Sequence, residues 1–167
     1  MEHAQSNVRG THEHEYIVFN TYRYMLEVAN SRSKTTFSLD ENGRFQYFFG
    51  SYATWIIDFL EMRKVIVVDG TFLRRKYGGV LISVVAQDAE NHIFPVAFYV
   101  MDKENDASYE YFFHNMRSFV DSTNELCIIS DRHPSIQMMV IRIYPASHYG
   151  CCMRHLKKNI RSNIHNS

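Results

Sequence analysis

Two aspartates of this 167-residue chain each follow directly on a strand-like apolar run. Val65–Val68 leads to Asp69, and Leu126–Ser130 leads to Asp131. A carboxylate at the end of a buried strand costs desolvation free energy unless a positive charge lies against it. Two such strands side by side would hold the carboxylates a few ångströms apart, where like charges share a proton or bind a divalent cation. The pattern therefore predicts a metal site suited to phosphoryl transfer.

Each aspartate also has an ordinary structural interpretation. Asp69 begins an Asp-Gly pair, which is a common turn after a strand. Asp131 could place negative charge near the N-terminus of a helix that begins at Pro134, although this does not explain why it also ends an apolar run. Three further acids could be offered as a third catalytic carboxylate, but we interpret them as a solvated acidic helix start, which the helix dipole favours. They are Glu104, Asp106 and Glu110.

Cys152 and His155 are spaced three residues apart, which places both on one face of a helix. A structural zinc site needs four ligands, so this C-x-x-H pair alone does not make one. Zinc binding and a structural or DNA-proximal role therefore both remain open for the pair. Cys127 lies inside an apolar run, and we interpret it as a core residue.

Basic residues follow the first aspartate and gather near the end of the chain. They indicate either the solvated side of an amphipathic helix or contacts with phosphate groups. The candidates for such phosphate contacts, as would be made with DNA, are Arg74, Arg75, Lys76, Arg132, Arg154, Lys157, Lys158 and Arg161.

Composition limits the class of protein. Eighteen basic and eighteen acidic side chains cancel, whereas a nucleic-acid binder usually has a surplus of Lys and Arg, so the balance argues against a complete DNA-binding protein. No apolar stretch is long enough to predict a membrane span. Three cysteines, two of them adjacent, do not form a disulfide framework, which indicates a reducing compartment.

Hydrophobic periodicity predicts the elements that would position the two aspartates, in the order β-β-β-α-β-α-β-α. Strands that return through helices should run parallel by right-handed crossovers. This is the ribonuclease H-like order: an α/β fold with a five-stranded mixed sheet in the order 3-2-1-4-5. The third strand would then be an edge strand. Pro95 lies inside it and indicates an edge or a bulge, because proline cannot donate to a ladder. The strands are expected at 65–69, 80–87, 93–101, 126–131 and 148–151.

The segment before this core has a different pattern. A helix is expected from Thr21 to Ala29, then a hairpin around the turn signal at 40–43, then a helix that begins near Tyr52. We therefore expect a loose leader at 1–20, an N-terminal flank at 21–63 and a partial catalytic core at 64–167.

Several ordered motifs resemble the Mutator-like element (MULE) transposase domain, and the resemblance covers residues 30 to 161. The Ser108–Phe113 motif carries Tyr109 where tryptophan is commoner in the family. The motifs are Val67-Val68-Asp69-Gly70-Thr71-Phe72, Tyr77-Gly78-Gly79-Val80-Leu81, Ile93-Phe94-Pro95-Val96-Ala97-Phe98, Ser108-Tyr109-Glu110-Tyr111-Phe112-Phe113, Ser130-Asp131-Arg132 and Cys152-Met153-Arg154-His155-Leu156.

The resemblance implies a cut-and-paste transposase with a DDE triad, in which Asp69 is the first acid and Asp131 the second. In the family the third acid, a glutamate, lies well beyond the C-x-x-H segment, so its position would fall after Ser167. The resemblance thus implies a core truncated before its last catalytic segment. It also implies two Mg²⁺ or Mn²⁺ ions in the complete enzyme, transposon-end and target DNA as partners, a nuclear location and no membrane partner, and it leaves an oligomer open.

Two other functions remain open at this point. The chain could be a non-catalytic, transposase-derived DNA-binding regulator or a gene remnant. It could also be a simple nuclease of the same fold, which would need its remaining acids within these residues.

Overall fold

The apolar runs form one mixed sheet, and the amphipathic segments form helices beside it. The structure is a computed structural model that describes residues 12–73 and 78–157, with side chains from residue 20 onward. The helices are α1 (His12–Ala29), α2 (Ala53–Glu61), α3 (Asp106–Arg117) and α4 (Pro134–Ile143). The strands are β1 (Lys34–Leu39), β2 (Phe45–Ser51), β3 (Val65–Phe72), β4 (Val80–Gln87), β5 (Ile93–Met101), β6 (Cys127–Ser130) and β7 (His148–Cys151).

The sheet has seven strands in the order β1-β2-β5-β4-β3-β6-β7. Strands β3, β4 and β5 form an antiparallel meander, whereas β6 runs parallel to β3 and β7 runs parallel to β6. The α/β class is therefore confirmed. The predicted five-stranded sheet is wrong, because β2 pairs antiparallel with β5 and β1 pairs with β2, which adds two strands beyond β5.

The reason for the extension lies in the residues of β2. Tyr47, Phe48 and Phe49 are consecutive and all buried, so both faces of this strand are covered. A strand that is apolar on both faces is typical of a sheet interior rather than of a separate flank. The hairpin therefore joins the sheet of the core, with Tyr47 opposite Met101 and Gly50 opposite Phe98.

Strand β5 is consequently not an edge strand, and that expectation was wrong. The other expectation for Pro95, a bulge, is confirmed: the register between β4 and β5 shifts between Val84, which faces Ala97, and Val85, which faces Pro95. Val96 is the extra residue, and its carbonyl accepts a hydrogen bond from the Ser51 hydroxyl at 2.6 Å. A proline is tolerated at such a bulge because the ladder is already interrupted there.

Helix α1 begins at His12 rather than at Thr21, within the segment where we expected a loose leader. Residues 1–11 lie outside the described part of the chain. Among residues 12–73 and 78–157, no helix is both long enough and apolar enough to cross a membrane.

Helix α3 packs its predicted apolar stripe against the sheet. Phe112, Phe113 and Met116 are fully buried in the core cluster, and Tyr109 is nearly so. A capping box fixes the start of the helix: Asn105 and Ser108 each bond the other's backbone N–H. This helix contacts α4, β2 and β5, and α4 in turn contacts β7.

Removal of the hydroxyl from two buried tyrosines should change the free energy of unfolding differently. The Tyr144 hydroxyl is buried and has no hydrogen-bond partner among the described residues, whereas the Tyr99 hydroxyl donates to the Ser108 carbonyl at 2.9 Å. We expect Tyr144→Phe to leave the free energy of unfolding unchanged or raise it. Tyr99→Phe should lower it by about 1 kcal/mol, because the hydrogen bond from the buried hydroxyl to the Ser108 carbonyl is lost. Urea unfolding of both variants tests this, and an equal loss in the two would contradict it.

Candidate metal centre at the ends of β3 and β6

The parallel pairing of β3 with β6 brings the two aspartates to the same level of the sheet. Val65, Ile66 and Val67 stand opposite Cys127, Ile128 and Ile129 in register. Continued two residues beyond its last pair, this register would place Asp69 level with Asp131. Neighbouring strands lie about 4.8 Å apart, so in that arrangement the two carboxylates would be within reach of one cation.

Asp69 lies within β3, which continues to Phe72, so the expectation that this strand ends at Asp69 was wrong, as was its interpretation as a turn after the strand. The side chain of Asp69 is 40% exposed. Its backbone is held by the antiparallel partner Ser83, whose hydroxyl donates to the Asp69 carbonyl at 3.3 Å. On the other side, Nε2 of His155 lies 3.7 Å from Oδ1 of Asp69. The histidine of the C-x-x-H segment is therefore a neighbour of the first aspartate, a contact that the sequence analysis did not anticipate.

Asp131 follows β6 directly and is fixed through both its side chain and its backbone. Its Oδ1 accepts a hydrogen bond from the backbone N–H of His133 at 3.1 Å. Its carbonyl accepts from the hydroxyls of Ser130 and Tyr149 at 2.6 and 2.8 Å. The residue therefore does bind the turn before α4, as its structural interpretation suggested. The N-cap of that helix, however, is His133.

Glu104 lies against β3 on the face of the sheet to which residue 70 points, whereas the Asp69 side chain points to the other face. Glu104 is half-buried in the loop before the N-cap Asn105, outside α3, so our interpretation of it as part of a solvated helix start was wrong. The hydroxyl of Tyr109 donates to its Oε1 at 2.6 Å. That same oxygen lies 3.9 Å from the position a Cβ would take on Gly70, the residue after Asp69.

Tyr109 bonds Glu104 and packs against His133, which lies two residues after the second aspartate. Burial, above all, raises the pKa of the Tyr109 phenol, and the hydrogen bond to Glu104 and the charge of Asp131 raise it further. The ring of His133 packs against the Tyr109 ring, with centroids 5.0 Å apart. Tyr109 is therefore a neutral hydrogen-bond donor at physiological pH. The contact between Tyr109 and Glu104 could not be predicted from the sequence, because the spacing of these two residues matches neither the helix period nor the strand period.

The other two acids of that segment have structural partners. Asp106 is exposed in the first turn of α3 and accepts a hydrogen bond from the Ser135 hydroxyl at 2.5 Å. Glu110 forms an ion pair with Arg142 at 2.8 Å. Both therefore tie α3 to α4 and do not enter the centre.

The donor atoms at the centre are mainly carboxylate oxygens, which suit Mg²⁺ or Mn²⁺ better than Zn²⁺. Asp69 and Asp131 are the residues that could hold such an ion. Within the described residues, no three His, Cys, Asp or Glu side chains are placed so that they could hold a metal as they stand. Cys152 and Cys127 are both partly buried free thiols. Zinc binding by the C-x-x-H pair stays the less favoured of its two interpretations.

Three of the predicted DNA-contact residues can be placed. Arg132, Arg154 and Lys157 are exposed, and none forms an ion pair with another described residue. Arg132 follows Asp131 and Arg154 precedes His155, so both flank residues of the centre. Exposed cations of this kind are available for phosphate contacts. The remaining candidates, Arg74, Arg75, Lys76, Lys158 and Arg161, lie outside the described residues.

Comparison with known proteins gives one family. The model of the MULE transposase domain family matches residues 65–159, a stretch that begins with β3 and extends past β7 into the segment containing His155. The matched stretch contains Asp69, Asp131 and Glu104. No curated protein matches the chain.

Proposed function

We propose a function from one premise: the chain belongs to the MULE transposase domain family, whose model matches more than half of it, residues 65–159. A transposase-related function follows from that membership. The more specific proposal is that these residues form a catalytic core for metal-dependent DNA cleavage and strand transfer, with transposon-end and target DNA as substrates and the nucleus as the site of action.

A single observation carries the specific proposal: one carboxylate lies within β3 and another directly follows its parallel neighbour β6, at corresponding positions in the register of the two strands. Ordinary stability does not require this arrangement, because two close like charges repel unless a cation or a shared proton lies between them. Phosphoryl transfer does require it, since a divalent ion must be held against the scissile phosphate. The relative order β5-β4-β3-β6-β7 within the larger sheet supports a ribonuclease H-like core that the β1–β2 hairpin extends.

The residues of this chain would divide the chemistry as follows. Asp69 and Asp131 supply hard oxygen ligands for Mg²⁺ or Mn²⁺. A bound ion of this type supplies Lewis acidity: it activates water or a 3′-hydroxyl and stabilises the leaving oxygen. Arg132 and Arg154 would contact the phosphates on either side of the ion. Tyr109 stays neutral and donates a hydrogen bond to Glu104.

Nicking of supercoiled plasmid DNA tests the proposal. We expect slow nicking by this chain in Mn²⁺, because the two assigned carboxylates suit one ion better than two. Asp131→Ala should reduce the nicking rate to the background of DNA incubated without protein, and Ca²⁺ should not support it. The matched control is Asp121→Ala, whose carboxylate is 88% exposed and paired with Arg117. This control should nick DNA at the wild-type rate.

Nicking at the same rate in the wild type and Asp131→Ala would contradict the proposal. Mn²⁺ binding without any nicking would favour the alternative function, a non-catalytic DNA-binding regulator derived from a transposase. Gel-shift titration with a linear fragment of the same plasmid would then still show binding. That binding should weaken as salt is added, since released counterions dominate affinity for phosphate backbones.

A further inference from the structure

We propose that Ser130 and Tyr149 are positioning residues, which together clamp the backbone of Asp131 so that its carboxylate faces the metal. The inference rests on the proposed function, because it assigns a role within that same site. It is carried by three short contacts between the two hydroxyls and one carbonyl oxygen.

The contacts form a closed triangle. The Ser130 hydroxyl lies 2.6 Å from the Asp131 carbonyl oxygen, and the Tyr149 hydroxyl lies 2.8 Å from the same oxygen. The two hydroxyl oxygens are 3.0 Å apart. The parallel pairing of β6 and β7 brings them together, because Tyr149 stands opposite Ile128 and its side chain reaches the end of β6.

Only two hydrogens are available for these three contacts, because each hydroxyl carries one. When both hydroxyls donate to the carbonyl, the contact between them is not a hydrogen bond. When one donates to the other, the carbonyl keeps a single donor. The Asp131 carbonyl therefore keeps at least one donor in either arrangement, and loss of one hydroxyl removes one of the two contacts that restrain it.

The clamp acts where the regular ladder ends. The Ser130 carbonyl still accepts a hydrogen bond from Cys152 N–H at 2.7 Å, but Asp131 lies beyond the strand. A partly buried carbonyl at that point needs another donor. With the carbonyl fixed on one side and Oδ1 bound to His133 N–H on the other, rotation of the residue is restricted. Among the described residues Oδ2 has no hydrogen-bond donor, which leaves it free for a cation.

Mn²⁺ affinity measured by calorimetry on the folded, full chain tests the proposal. Tyr149→Phe keeps the ring and removes only the hydroxyl, and Ser130→Ala removes the other. Each should weaken Mn²⁺ binding about threefold to tenfold, as expected when one net hydrogen bond that orients a ligand is lost. The double variant should lose more than the product of the two single losses, because no hydroxyl then remains to cover the carbonyl. Tyr144→Phe is the matched control and should bind Mn²⁺ as the wild type does.

A purely structural role predicts a different pattern. Tyr149→Phe and Ser130→Ala would then lower the free energy of unfolding in EDTA while the folded proteins kept the wild-type Mn²⁺ affinity, and this result would overturn the clamp. A double variant no weaker than Tyr149→Phe alone would also overturn it. Asp131→Asn separates the two proposals: if this variant binds Mn²⁺ as tightly as the wild type does, the proposed metal centre itself fails. If it binds weakly while the hydroxyl variants are unaffected, only the clamp fails.

Discussion

Asp69→Asn is expected to weaken Mn²⁺ binding by about a hundredfold or more. Asparagine keeps the shape of the side chain and one oxygen ligand but removes the negative charge. Two unit charges 4 Å apart interact by about 4 kcal/mol at an effective dielectric constant of 20, and screening at a half-exposed site lowers this value. A hundredfold loss of affinity corresponds to about 2.7 kcal/mol, which is less than the unscreened interaction energy of about 4 kcal/mol. Calorimetric titration of Mn²⁺ into the wild type and the variant measures the difference.

The matched control for this variant is Asp58→Asn on α2. Asp58 is exposed on a helix that packs near β5, and it takes no part in the centre. Its replacement removes the same charge from the chain and should leave the Mn²⁺ affinity within about twofold of the wild type, since an exposed, distant charge is largely screened. Equal affinities for wild type and Asp69→Asn would remove Asp69 from the site.

Gly79→Ala is expected to lower the free energy of unfolding by about 3 kcal/mol or more, because two costs add. The residue has a φ of +90°, in a region that L side chains rarely adopt. A Cβ built there would lie 2.5 Å from the carbonyl oxygen of Met101, which is backbone and cannot rotate away. The change should therefore displace the start of β4 from the end of β5, and urea unfolding measures the loss.

The neighbouring glycine provides the control. Gly78 has a φ of +60°, and a Cβ added to it would meet no atom within 4 Å. Gly78→Ala therefore carries the backbone strain without the collision, and we expect a loss of about 1 kcal/mol. Equal losses for the two variants would show that the contact with the Met101 carbonyl does not limit this turn.

The strands and helices of the core could be predicted because their patterns are local. β4, β5 and β7 have the predicted bounds, and the apolar stripe of α3 is buried as its period indicated. The adjacency of β3, which contains Asp69, and β6, which leads to Asp131, could also be predicted, since a strand that returns through a helix runs parallel to its neighbour. The pairing of β3 with β6 follows that rule.

The parts that could not be predicted depend on contacts between distant segments. Nothing in the residues of β2 identifies β5 as its partner, so the sheet was expected to end at β5. The approach of His155 to Asp69 depends on how the segment after β7 turns back over the sheet. The bond from Tyr109 to Glu104 spans five residues in a loop and helix start, and it became visible only in three dimensions.

Anomalous diffraction from crystals of this chain grown with Mn²⁺ tests the proposed centre most directly. We expect an anomalous peak between β3 and β6, with carboxylate oxygens of both Asp69 and Asp131 about 2.1 Å from the ion, the distance typical of small divalent cations with oxygen ligands. Crystals of Asp69→Asn grown in the same solution should lose the peak. A peak elsewhere in the molecule, or none between the two aspartates at saturating Mn²⁺, would contradict a metal centre at this position.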